Sequence, residues 1–71
     1  MNRAARSLRK TLDMAAENNE AAALAVMRAV DHVTGDDVLK QRLLNVIQRL
    51  HQDADDLREL RDRVIGSEFR Q

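Results

Sequence analysis

Apolar residues recur along this chain at alternating steps of three and four, in two stretches that do not share a phase. Ala5, Leu8, Leu12, Ala15, Asn19, Ala22, Val26, Ala29 and Val33 follow the pattern first. Leu39, Leu43, Val46, Leu50, Asp53, Leu57, Leu60 and Val64 take it up again in the second half. This spacing is that of the a and d positions of a coiled coil. Carrying the first phase forward would put Asp36 and Lys40 on the apolar seam, so one uninterrupted helix would bury charge. The break falls at Thr34-Gly35-Asp36-Asp37, with Gly35 suited to close one helix and Thr34 or Asp36 to cap the next. The pattern predicts an all-α chain, folded as an antiparallel two-helix hairpin of coiled-coil type. It is read as a single domain over residues 1–71: helix one over about 3–33, a turn at 34–37, helix two over about 37–65, and a frayed tail at 66–71.

Antiparallel pairing brings seam positions together at a constant total of residue numbers. Val33 with Leu39, Ala29 with Leu43, Ala22 with Leu50 and Leu8 with Val64 all total 72. In that register Asn19 meets Asp53, the two polar seam residues facing each other, and a lone polar pair sets register at some loss of stability.

The apolar surface is wider than one seam. On the heptad wheel the e positions, which lie beside a, carry Ala16, Ala23, Val30, Ile47 and Ala54. Met27, Leu44 and His51 flank them at the b positions. The g edge is mostly polar: Thr11, Asn18, His32, Arg42, Arg49, Asp56 and Arg63. With the a and d positions spent on the hairpin, the expected association face is Ala16, Ala23, Met27, Val30, Leu44, Ile47, His51 and Ala54. Its expected occupant is a second copy, giving a homodimeric four-helix bundle with the two-fold near Ala23 and Ile47, or a helix of another protein.

Composition narrows the chemistry. With seventy-one residues, 8.1 kDa, a single domain is expected, and a core of this size needs regular packing or association. There is no cysteine, so neither disulfides nor thiolate metal sites enter, and the cytoplasm is the expected location. Nothing in the sequence reads as a membrane span or a signal peptide. Ten of the twelve basic residues are Arg and Ala is equally frequent, a usage common in GC-rich bacteria and their phages. Gly66-Ser67-Glu68-Phe69 is also what joined BamHI and EcoRI sites encode, which leaves two origins open for the tail, native or vector-derived.

His51 and Asp55 share a helix face but have no third ligand in the pattern, so no metal and no cofactor is expected. Asp53, Asp55, Asp56, Glu59 and Asp62 interleave with Arg58, Arg61 and Arg63, the pattern of a solvated face rather than an acid–base site. With no Gly-rich loop or nucleophile motif either, the chain is read as not an enzyme. Arg3, Arg6, Arg9 and Lys10 form a run of four cations without an acid among residues 1–12. They suit contact with a polyanion, although the net charge of zero argues against it, and they are expected to pair with the acidic end of helix two. The functional expectation is a small non-catalytic protein-binding module, an adaptor, co-chaperone or inhibitor acting through a helical surface. The alternatives are a nucleic-acid-associated regulator using the basic N-terminal end, and a structural assembly subunit.

Overall fold

The computed structural model describes residues 3–70, with side chains placed from Arg3 to Val64. Two helices, α1 (Arg3–Val30) and α2 (Asp37–Arg70), pack along each other as an antiparallel hairpin. The result is a rod with extents of 56 × 15 × 11 Å. Neither helix is long and apolar enough to cross a membrane, among the described residues.

The turn follows from a few named groups. After Val30 the His32 amide donates to the Ala29 carbonyl and the Val33 amide to the Val30 carbonyl, both at 3.0 Å. These tighter three-residue bonds satisfy the last carbonyls and end α1 three residues before the expected boundary. Gly35 then takes φ 77°, a left-handed conformation that a side chain would oppose. A Cβ there would touch nothing, so the demand on Gly35 is torsional and not spatial. Asp36 caps α2: its Oδ1 accepts the Leu39 amide at 2.9 Å, and its carbonyl accepts the Lys40 amide at 3.1 Å. Asp37 adds negative charge to the first turn, where the helix dipole favours it. α2 runs on through Gly66 to Arg70, where a frayed tail was expected from residue 66.

The hairpin is the expected one, but its seam is not. The buried residues are Ala16, Ala23, Val30, Ile47 and Ala54, all from the e positions. Ala23, Val30 and Ile47 form one cluster, with Val26, Leu43 and Leu50 from the a positions packed against it. Leu12, Leu57 and Val64, also at a, are half-buried. Each helix is therefore turned so that a and e face the partner helix and d faces out, a rotation of about 50°, half of one residue's step. Five members of the expected association face are thus the core of the hairpin itself.

Two causes favour the rotated seam. The a/d seam would enclose Asp53; the a/e seam puts Ala54 there instead, and no polar or charged side chain is buried among the described residues. Ala16, Ala23 and Ala54 are completely covered, so side chains no larger than a methyl lie at the closest approach of the backbones. Asn19 is half-buried and Asp53 exposed, and no hydrogen bond joins them among the described residues. Cross-helix ion pairs join Asp13 to Arg61 and Glu20 to Arg58.

Neighbouring alanines test the seam. Ala23→Leu forces three extra carbons between the helices and lowers stability by about 1–3 kcal/mol, read by thermal or urea unfolding. Ala22→Leu, one residue away on the exposed d line, leaves the stability of the monomeric chain, measured at high dilution, within about 0.5 kcal/mol. The opposite order of the two variants would restore the a/d seam.

Candidate interaction surface

With a and e turned inward, the hairpin has two broad faces of different character. One is lined by the d positions of both helices. α1 contributes Leu8, Ala15, Ala22 and Ala29, and α2 contributes Leu39, Val46, Asp53 and Leu60. Leu8 and Leu60 are each 48% exposed, Leu39 44% and Val46 42%. Asp53 is the one charge in this line, and the face is otherwise an apolar stripe running the length of the rod. A single exposed leucine means little, whereas a continuous row rimmed by polar residues marks a contact surface.

The other face carries the b positions: Arg6, Asp13, Glu20 and Met27 from α1, Leu44, His51 and Arg58 from α2. Toward the open end of the hairpin it is clasped by charge. Arg58 Nη1 donates to Glu20 Oε1 at 2.7 Å and Arg61 Nη1 to Asp13 Oδ1 at 2.6 Å. Arg61 Nε also donates to Asp62 Oδ1 at 3.0 Å; away from this face, within α2, Arg63 Nη2 donates to Glu59 Oε1 at 2.9 Å. Toward the turn the same face is apolar and open, with Met27 and Leu44 exposed and Leu24 beyond them. Of the expected association face, then, Met27, Leu44 and His51 are the members left at the surface.

The clasp alters the ionisation of its members. The hydrogen bond from Arg58 is the main reason the Glu20 carboxyl sits below its ordinary value of 4.5, with partial desolvation opposing and the charges of Arg58 and His51 assisting. The same contact makes Arg58 hold its proton more tightly, and Asp13 does so for Arg61. The i,i+3 contact of Arg58 with Asp55 and the i,i+4 contact of Arg63 with Glu59 follow the interleaving of charges along α2. The cross-helix pairs were not visible in that local pattern, because they depend on which way each helix is turned.

His51 acts on this face only through its field on Glu20; no hydrogen bond links it to a carboxylate among the described residues. No three His, Asp or Glu residues gather into a metal-holding group there either. A shallow hollow lined by Asn45, Gln48, Arg49 and Gln52 lies on α2 alone and brings no second element to bear on a ligand.

The basic run behaves differently from the expectation of intrachain pairing. Arg3, Arg6, Arg9 and Lys10 make no ion pair among the described residues. Asp13, Glu20, Asp55, Glu59 and Asp62 are engaged by Arg58, Arg61 and Arg63 instead. Among the described residues, the three arginines of α2 thus leave the four cations of α1 without neutralising partners.

No protein-family model, no curated protein and no solved structure matches this chain.

The clasp gives a titration test. Glu20 is lowered in the folded chain, so its contribution to stability is present above the unfolded value and is lost as pH falls through the folded one. Carboxyl chemical shifts followed against pH place Glu20 below 4.5, and Arg58→Gln returns it toward that value. An unchanged titration in the variant would mean that the Arg58 contact does not form in solution.

Proposed function

We propose that this chain is a small non-catalytic protein-binding module that acts through the apolar d face, as a homodimer in the form of a four-helix bundle. The observation that carries the reading is the unpartnered row of Leu8, Leu39, Val46 and Leu60. Surface area supports it. A compact monomer of 8.1 kDa exposes about 4,500 Å². This rod exposes 5625 Å², an excess of about 1,100 Å², against the ~800 Å² that each partner buries in a standard interface. Covering the d face by another pair of helices would give the hairpin the second layer that two helices lack.

In such a bundle the Leu24, Met27 and Leu44 patch stays outward, and there a helix of another protein would find an apolar landing site. Roles of this kind are those of an adaptor, a co-chaperone or an inhibitor. The proposal keeps the cytoplasm as the place of action, since the chain has no cysteine with which to use an oxidising compartment.

One observation favours a second reading. Arg3, Arg6, Arg9 and Lys10 make no ion pair among the described residues, and such a cluster of cations suits the phosphate backbone of a nucleic acid. Four such contacts would weaken by ~100-fold between about 50 and 200 mM salt. Fluorescence anisotropy with a short labelled duplex measures this; binding that ignores salt, or that survives Arg3→Ala with Arg6→Ala and Lys10→Ala, removes the reading.

Two adjacent substitutions separate association from folding. Val46→Glu places a charge on the exposed d line, so sedimentation equilibrium shows the dissociation constant rising by roughly thirtyfold or more while helicity persists. Ile47→Glu places the charge in the core, so circular dichroism shows loss of the helical hairpin. A parent chain that stays monomeric at all concentrations would refute self-association, and species larger than a dimer would point to an assembly subunit.

A further inference from the structure

We infer that the second copy docks with its two-fold axis parallel to the helices, so that α1 of one copy lies against α2 of the other. This deepens the self-association proposed above and rests on it. Face-to-face contact of two hairpins through one flat face admits two simple two-fold arrangements. With the axis along the helices, α1 meets the partner's α2. With the axis across them, α1 meets α1 and α2 meets α2.

Side-chain size separates the two. The d line of α1 is small in its centre, with Ala15, Ala22 and Ala29, whereas that of α2 carries Leu39, Val46 and Leu60. Small against large fills the space between helices; like against like sets alanine on alanine, leaving a void, and crowds the leucines and valines together.

Charge points the same way. Beside the d line, at the g positions, α2 carries Arg42, Arg49, Asp56 and Arg63, whereas α1 carries Thr11, Asn18, Ala25 and His32. Packing α2 on α2 about a centre near Arg49 would bring that arginine against its own copy. Packing α1 on α2 sets the arginine row beside residues that bear no fixed charge, and like-charge contact across an interface is what specific association avoids.

The parallel axis also has a consequence at the ends. Both N-terminal segments come to the same end of the bundle, so Arg3, Arg6, Arg9 and Lys10 from two copies gather there. These groups, of which Arg9 alone is half-buried, project from separate helices, and at physiological ionic strength their repulsion is screened over about 8 Å. The half of the basic end that one chain supplies is then completed by its partner.

The chain has no cysteine of its own, which makes mixed cross-linking decisive. Full-length chains carrying Ala22→Cys, Val46→Cys or Asp53→Cys, all at exposed positions, are oxidised alone and in pairs and read on non-reducing gels beside sedimentation of the same samples. The expected result is a covalent dimer in mixtures of Ala22→Cys with Val46→Cys or Asp53→Cys, several-fold above the self-linked product of any single variant. Dominant self-linking of Ala22→Cys or of the α2 variants overturns the axis while leaving the dimer intact. A dimer by sedimentation with no cross-link in any mixture overturns the use of this face. A monomer throughout overturns self-association itself, and with it this arrangement.

Discussion

Each helix of this chain carries three apolar lines per heptad, and a pair of helices can cover only two of them. Lines a, d and e together span a sector of about 100°, the width that a helix in a multi-helix core presents. In a hairpin one line must remain outside. The rest of the structure depends on which line that is. Turning a and e inward decides that the core is Ala16, Ala23, Val30, Ile47 and Ala54, that Asp53 stays in water, and that the d line faces out.

The choice between d and e is made by a balance of small effects. The d line offers the larger side chains, Leu8, Leu39, Val46 and Leu60, and burial of area alone would favour it. Against this stand the unpaired carboxylate of Asp53 and the close approach that Ala16, Ala23 and Ala54 permit. The same rotation presents the b line at the face where Glu20 reaches Arg58, and brings Asp13 to Arg61. Exposed pairs of this kind add little to stability, but their place on one face and not the other makes the two sides of the rod unlike.

Much of the fold was legible because its determinants are local. The change of phase between Val33 and Leu39 marks the turn, and Gly35 and Asp36 supply the torsion and the cap it requires. The a line was legible too, since it belongs to either seam. The d and e lines were not distinguishable: both are apolar on both helices, and periodicity reports that a position faces inward without saying how far the helix is turned. Matching residue totals at 72 gave false support, because any two regular heptad lines in antiparallel helices share a constant total. The Asn19–Asp53 coincidence had the same origin. Arg61 shows the converse: on sequence it belonged to a solvated face, yet it is half-buried at an e position and paired to Asp13 across the hairpin.

In the proposed dimer, a core built on alanine would tie folding to association. Ala16, Ala23 and Ala54 let the helices close upon each other, but a buried alanine removes far less apolar area from water than a buried leucine. No large side chain is fully enclosed among the described residues, so an isolated rod has little to set against the conformational entropy of ordering its residues. The leucines that would stabilise it lie on the d face, where only a second layer can cover them. If that layer is another copy of the chain, the folded population rises with concentration by mass action, and substitutions on the exposed face alter apparent stability without touching the intrachain core. In the proposed dimer, the surface left over by the rotation is therefore part of how the hairpin comes to be folded, as well as where it binds.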